Sequence, residues 1–372
     1  MIYLDNAATT KVVPYVGEII KKYNEEIYFN SASPYTNDLN VEIDNVKQNF
    51  IKKLDGDSSG RIIFTSGATE SNNLAILGSL IDKKKAFVFA EGEHASVHSV
   101  AMHLKQQGIE TRLVPLSDDG TINLTKLEEA LDESVGFVSV MLASNETGAV
   151  NNIAEVSRLI KTKCPKARLH VDAVQGFCKM KFSCKKLGIS LCTICAHKIH
   201  GPKGIGALYV APKLMLKAIS MGGEHEGSLR PGTQNTSGIM GFGRAVDYMF
   251  ENFDEFNKHI THLKEEFIKG LGPVKDKIII NGNGLPHVLS LSIKGIMGQT
   301  LVNVLKEHDI LITTGSACNA KHIENRALAS MGRSKTDIVG SVRISFSHLN
   351  TLDEISQASR ILVSGINKLL NI

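Results

Sequence analysis

The sequence predicts an α/β protein, with a large domain built on a mainly parallel sheet and a smaller α+β domain. Three observations carry that expectation. Between about residues 61 and 210, short β-rich runs alternate with helix-periodic stretches. Near residue 240 the texture changes to a long helical pattern followed by a few strand-like runs. The chain has 372 residues, 42% of them hydrophobic and 22% charged. That suits about two domains with a substantial buried core.

The strand candidates, in order, are "RIIFTS", "AFVFAE", "TRLVPL", "FVSVMLA", "ARLHVDA", "LCTICA" and "GALYVA". Periodic segments such as "TESNNLAILGSLI" and "IAEVSRLIKTK" separate them, as in β–α–β units. Further on, "AVDYMFENFDEFNKHITHLKEEFIKGLG" reads as helix, "HVLSLSIKG" and "SVRISFS" as strands, and a final helix starts near Asp353. In open parallel sheets ligands bind at the carboxyl ends of the strands, so chemistry is sought there.

Composition removes several function classes. Net charge is +4 and no Lys/Arg block is interleaved with aromatics, which argues against nucleic-acid binding. The start, "MIYLDNAATTKVVP", lacks the basic stretch and apolar core of a secretory signal. No run approaches the ~20 apolar residues that span a bilayer. Six scattered cysteines do not form a disulfide framework and fit a reducing compartment. The expected location is the cytoplasm, with no membrane association.

Several strand ends deliver polar groups. "TSGATESNN" is a Gly-containing turn opening a helix, where free N–H groups and Thr69 suit a phosphate; a helix capped by Ser66 or Thr69 is the plainer alternative. "LHVDAVQ" places Asp172 and Gln175 near a strand end. An aspartate there suits a protonated ring nitrogen or simply caps a helix. Asn145, in "ASNETG", belongs to the same edge, and "AEGEHASVH" brings His94 past another strand, though a lone histidine is commonly structural. In "CAHKIHGPKG", Lys198 follows an apolar run beside a glycine–proline turn, an unusual place for a surface charge. Taken together, a phosphate cup, an aspartate and a strand-end lysine suit a pyridoxal cofactor bound as an imine.

Two patterns compete for attention. Cys192 and Cys195 form C-x-x-C, but residues three apart on a strand face opposite sides and no second Cys or His pair supports zinc. His94 and His98 share a helical face but lack the H-E-x-x-H glutamate. No resident metal is expected. In "ILITTGSACNAKHIENRA", Cys318 sits in a small, polar stretch unlike that around a buried structural cysteine; it reads as a loop thiol, nucleophilic as thiolate, or as a chance free cysteine. Arg343, in "GSVRISFS", reads as a carboxylate clamp or as a surface strand residue.

The motifs "YLDNAATT", "TSGATESNN", "EHASV", "NETGAV", "HVDAVQG", "AHKIHGPKGIGALYV", "RPGTQN" and "TTGSAC" resemble, in order and over nearly the whole chain, the cysteine desulfurases of the class V aminotransferase group. The resemblance implies a fold-type I, pyridoxal-phosphate-dependent homodimer. Its large domain would span residues 13–245, and its small domain residues 1–12 and 246–372. It makes Lys198 the Schiff-base lysine, Asp172 the ring-nitrogen partner and His94 the ring-stacking residue. Asn145 and Gln175 would contact the oxygen side of the ring. Ala68, Thr69, Cys195 and His197 fall at phosphate-cup positions, with Thr233 reaching the phosphate from the other subunit. Arg343, with Asn145, would hold the substrate carboxylate, and Cys318 would receive sulfur as a persulfide. The implied reaction turns L-cysteine into L-alanine and passes sulfur to an iron–sulfur scaffold or a thiolation enzyme. A transient iron–sulfur ligand role for Cys318 belongs to the same analogy.

Four stretches depart from the family pattern. Cys195 replaces a serine, and a thiol donates more weakly, so looser cofactor retention is expected. "YFNSASPYTND" lacks the usual Gly-Asn-Pro-Ser-Ser and following His. Gly227–Ser228 and Ser347–His348 stand where Arg/Lys–Gly and Gly–Arg are common. These departures keep two alternatives open: another class V enzyme, such as an aminotransferase or selenocysteine lyase, and a non-catalytic assembly protein.

Overall fold

The computed structural model describes residues 1–82, 84–315 and 325–371. A two-residue strand, β1 (Ile2–Tyr3), precedes helices α1 (Pro14–Glu25) and α2 (Asn37–Lys53). Pro14 opens α1, where its missing N–H forfeits no intrahelical bond. The alternation follows: β2 (Arg61–Thr65), α3 (Ala68–Leu77), β3 (Ala86–Ala90), α4 (Ala95–Gln106), β4 (Thr111–Val114) and α5 (Leu124–Ala130). It continues with β5 (Val135–Met141), α6 (Ile153–Lys163), β6 (Arg168–Asp172), β7 (Leu191–Cys195) and β8 (Gly206–Val210). Every strand expected between 61 and 210 is present.

These strands form one sheet in the order β2-β8-β7-β6-β5-β3-β4. β3 to β7 pair in parallel, while β8 is antiparallel to both β2 and β7. Strands β3, β7 and β8 are buried along their whole length, which is why they read as continuous apolar runs rather than alternating ones. Ile43 and Phe50 of α2 and Val156 of α6 belong to the core on one face. Leu74 of α3 and Val97 and Leu104 of α4 belong to the core on the other.

The long helical pattern proves to be two helices, α7 (Thr236–Glu251) and α8 (Phe253–Gly270). Asn252 breaks them apart: its side chain donates to the Tyr248 carbonyl at 2.8 Å, satisfying one of the open acceptors at the end of α7. There follow β9 (Ile278–Ile280), β10 (Val288–Ile293), α9 (Gly298–Lys306), β11 (Ile310–Leu311), α10 (Arg326–Ser330), α11 (Lys335–Val339), β12 (Ser341–Ser345) and α12 (Leu352–Leu370). Strands β12-β10-β9 make an antiparallel sheet, and β1 pairs in parallel with β11. Strands β1, β9 and β11 escape sequence reading because two or three residues show no period. α12 begins with a capping box between Thr351 and Glu354.

Ile2 and Leu4 pack with Phe267, Leu291, Ile344 and Leu362 in a second core, separate from that of the large sheet, which takes Val13. Among the described residues no helix is long and apolar enough to cross a membrane. Because β3 and β5 to β7 are parallel and β2 shares their direction, the loops leaving them all emerge at one edge. The second core presents β12 there too.

Candidate active site

At that edge lies a cavity of about 630 Å³, within the range of small-ligand sites. Its walls come from the turn after β2, the head of α4, the ends of β5, β6 and β7, the N-terminal segment and β12.

One end is an anion seat. Helix α3 begins after Gly67 with no side-chain cap, and Ser66 to Thr69 line the cavity. The first N–H groups of the helix are therefore left for a ligand. The Ser66 or Thr69 cap expected as the plainer alternative does not form. The turn sits tightly on β8: a Cβ at Gly206 would lie 2.6 Å from the Gly67 carbonyl carbon, so a glycine is required there. His197 also lines the cavity, its Nδ1 3.2 Å from Thr9 Oγ1. Burial, followed by the charge of Lys198, pushes His197 down to about 4, so its ring is neutral.

Cys195 differs from expectation. It is buried at the end of β7 and does not line the cavity. Its sulfur faces the backbone N–H of Lys198, and burial pushes the thiol up to about 12. It is the last residue of β7, and His197 and Lys198 in the turn that follows are the ones that line the cavity. Cys192 shares a side-chain hydrogen bond with Cys184 instead. No cluster of three or more His, Cys, Asp or Glu able to hold a metal occurs among the described residues.

The middle of the cavity is set by Asp172, at the end of β6. Its Oδ2 accepts from Asn72 Nδ2 at 2.8 Å and its Oδ1 from the Val174 N–H at 3.1 Å. Asn72 donates its other proton to Ser96 Oγ at 2.8 Å, and that hydroxyl bonds His94 Nδ1 at 2.8 Å. His94 Nδ1 also accepts the Ser96 N–H at 3.2 Å, so His94 is the cap of α4 as well as a cavity wall. With Nδ1 accepting, the neutral ring carries its proton on Nε2, an assignment that follows from the bonding. Burial lowers the His94 pKa against the opposing pull of Asp172. Glu93, buried nearby, is pushed well above the ordinary carboxyl range by burial and then by Asp172.

Lys198 lies not on the strand but in a 3₁₀ turn, Ala196–Lys198, just beyond it. Its Nζ donates to the carbonyls of Ala7 at 2.7 Å and Ala8 at 2.5 Å. Burial lowers the pKa of this amine below that of an ordinary lysine. Gln175 Nε2 donates to the same Ala7 carbonyl at 3.0 Å.

At the far side Arg343, from β12, is almost fully buried. Its NH1 donates to the Asn145 carbonyl at 2.9 Å and lies 3.4 Å from Glu146 Oε1, while NH2 meets Asp5 Oδ1 at 2.9 Å. Nε is buried without a hydrogen-bond partner.

The structure thus brings Ala68, Thr69, His94, Asn145, Asp172, Gln175, His197, Lys198 and Arg343 to one cavity. Thr233 is exposed and outside it, and Cys318 lies outside the described residues. Sequence reasoning by residue chemistry missed Asp5, the Ala7–Thr9 segment, Asn72 and Glu146. Only the quoted motifs "YLDNAATT", "TSGATESNN" and "NETGAV" could have flagged them, because backbone carbonyls and supporting side chains carry no chemical signature of their own.

The residue set fits pyridoxal phosphate. An uncapped helix start opens onto the cavity for the phosphate, the buried Asp172 suits the ring nitrogen, and the Lys198 amine faces the same space. The parallel-sheet edge and these residues define a fold-type I pyridoxal-phosphate enzyme.

The chain belongs to the class V aminotransferase family, whose model matches residues 2–358. It is 32% identical to a cysteine desulfurase of Sinorhizobium fredii over 99% of this chain and 97% of that one. It is 33% identical to the cysteine desulfurase IscS of Rickettsia bellii over 99% and 92%. Among solved structures, a NifS-like protein superposes with a TM-score of 0.91 at 32% identity, covering 98% of each chain. SspA, solved in complex with cysteine, superposes with a TM-score of 0.82 at 27% identity, covering 94% of this chain and 100% of that one.

Proposed function

We propose that the protein is a cysteine desulfurase that converts L-cysteine to L-alanine and carries the sulfur away as a persulfide on Cys318. The observation that carries this reading is the joint placement of Lys198 and Arg343 on one cavity with an anion seat at its other end. An amine-reactive centre and a guanidinium suit an α-amino acid substrate. The cysteine desulfurase relatives and the "TTGSAC" stretch supply the identity of the transferred atom.

Pyridoxal phosphate, when bound, supplies an electron sink for negative charge at the substrate Cα. The first turn of α3, with Thr69 and His197, would hold the phosphate. Asp172, fixed by Asn72 and the Val174 N–H, would keep a proton on the ring nitrogen, and His94 would stack on the ring. Lys198 would anchor the cofactor, and its amine, made less basic by burial, would take the proton from the substrate Cα. Arg343 and Asn145 hold the substrate carboxylate. The Cys318 thiolate attacks the substrate sulfur: an S–S bond forms, the C–S bond breaks and leaves its electron pair with Cβ, which takes up a proton, and Cα regains the proton it lost, so that the carbon skeleton leaves as alanine.

The working unit is a homodimer in the cytoplasm. The exposed aromatic side chains Tyr28, Phe29 and Tyr35 form a patch. Ser31, between them, donates to Gln234 at 2.8 Å, next to Thr233. An apolar patch beside an exposed Thr233 suits a second copy that receives this threonine at its phosphate seat. The acceptor of the sulfur is an iron–sulfur scaffold or a thiolation enzyme.

The test is release of L-alanine from L-cysteine by the cofactor-loaded protein with a thiol reductant, beside a Cys318→Ser variant. Alanine from the first and none from the second is expected. Equal release from both would make Cys318 incidental, and none from either would overturn the assignment.

A further inference from the structure

We propose that Glu146 is a positioning residue that couples the carboxylate-binding Arg343 to the two points anchoring the segment that bears Cys318. The inference rests on the functional reading above for Arg343 and Cys318, and deepens it.

The side chain of Glu146 is 6% exposed and uses its two oxygens in opposite directions. Oε1 accepts from Asn145 Nδ2 at 2.6 Å and lies 3.4 Å from Arg343 NH1. Oε2 accepts from Asn325 Nδ2 at 3.0 Å. Gly315 is pressed against the same oxygen: a Cβ there would sit 2.2 Å from Oε2, and its φ of +85° is in the left-handed region. In sequence, Cys318 lies between Gly315 and Asn325. The chain entering Gly315 is also tied to Arg343, since Arg343 and Thr313 exchange backbone hydrogen bonds, N–H to O at 2.7 and 3.3 Å.

Two physical consequences separate. The first is charge. Arg343 stands between Asp5 and Glu146, so an arriving substrate carboxylate competes with two resident ones for one guanidinium. The second is geometry. Asn325 cannot turn its amide round, because its Oδ1 accepts the Leu328 N–H at 3.2 Å and caps α10. Glu146 thus meets fixed donors on both sides, which only a carboxylate satisfies. Its charge weakens substrate binding, while its geometry holds the anchors of the nucleophile-bearing segment.

Glu146→Gln keeps the shape, removes the charge and leaves one oxygen for two donor-lined sides. Asn325→Ala removes one anchor and leaves Arg343 untouched. For Glu146→Gln in the cofactor-loaded protein, KM for L-cysteine is expected to fall several-fold, with kcat for alanine release falling about tenfold. For Asn325→Ala, kcat falls with KM unchanged. In cofactor-free Glu146→Gln protein, amide exchange of the Leu328 N–H should speed up, a readout independent of turnover. Unchanged kcat in either variant, or a raised KM in Glu146→Gln, would overturn the proposal. If the wild type releases no alanine, the functional reading fails. The ratio of L-cysteine dissociation constants between wild type and Glu146→Gln, from a spectral titration, then decides the role of Glu146, tighter binding supporting it and equal or weaker binding overturning it. Glu146→Gln that does not fold leaves the decision to Asn325→Ala.

Discussion

Lys198 Nζ lies 2.7 Å from the carbonyl oxygen of Ala7, a residue 191 positions earlier in the chain. The amine at the end of the large sheet is therefore held by the N-terminal segment, which itself packs its first residues into the second core. The cavity is lined from both sides, by loops of the large sheet and by the N-terminal segment with Arg343 of β12.

Lys198→Ala should abolish turnover, by at least about 10³-fold, because the proposed function makes this residue both the covalent anchor and the base. The fold should persist, at a stability change of no more than ~2 kcal/mol, since Gln175 still donates to the Ala7 carbonyl. Borohydride reduction followed by mass spectrometry should fix the cofactor to the wild type and not to the variant. Retained steady-state activity would contradict the assignment.

Asn72 supports two cavity-lining side chains with one amide group, donating to Asp172 and to the hydroxyl that bonds His94. Asn72→Ala leaves a buried carboxylate short of a donor, a loss of about 1–2 kcal/mol. Cofactor release, followed by absorbance, should be about tenfold faster than in the wild type. An unchanged release rate would show that Asp172 does not depend on Asn72.

Cys195→Ser was expected from sequence to tighten phosphate binding, as the resemblance puts this position in the phosphate cup. The position of Cys195 in the structure predicts a smaller effect. The side chain faces the Lys198 N–H and not the cavity, and a serine oxygen can accept the same proton. Cofactor release should stay within about twofold of the wild type, as for a substitution that leaves the site walls intact. Markedly tighter retention would put Cys195 back at the phosphate.

Acid should destabilise the protein through its buried histidines. His200 and His348 stack edge to face with centroids 4.5 Å apart, and His348 lies 3.8 Å over Phe256. Burial pushes His200 down to about 4, and His348 to about 3 with a further contribution from His200 and His259. Both values lie below the unfolded one of ~6.5, so the unfolded state binds more protons as pH drops. Their contribution to stability is present above pH ~6.5 and is lost as pH falls toward the folded values. At pH 5 each histidine accounts for about 1–2 kcal/mol of loss. The urea midpoint should therefore fall between pH 7 and pH 5, and His348→Phe should flatten that dependence. A midpoint independent of pH in both proteins would contradict it.

Much of this was legible in the chain. The seven strands of the large sheet could be read because a sheet covered on both faces needs apolar runs such as "AFVFA" and "LCTIC", bounded by turns. Asp172, Asn145 and Lys198 could be placed at strand ends because parallel strands all finish at one edge. The break at Asn252 was not legible, since the helical period continues across it and only the side-chain bond to the Tyr248 carbonyl interrupts the helix. The side-chain direction of Cys195 was not legible for a related reason: position in a motif does not say which way a strand-end side chain turns.

The sequence by itself determined the layered α/β architecture, the lysine, aspartate and arginine that the fold gathers on one cavity, and the family to which the chain belongs. These are local matters of residue type, period and order. The tertiary structure alone decided which partners hold those groups: Asp5 and Glu146 around Arg343, Asn72 beneath Asp172, Ala7 against Lys198. Such contacts join residues 100 or more positions apart, and packing, unlike period, leaves no mark along the chain.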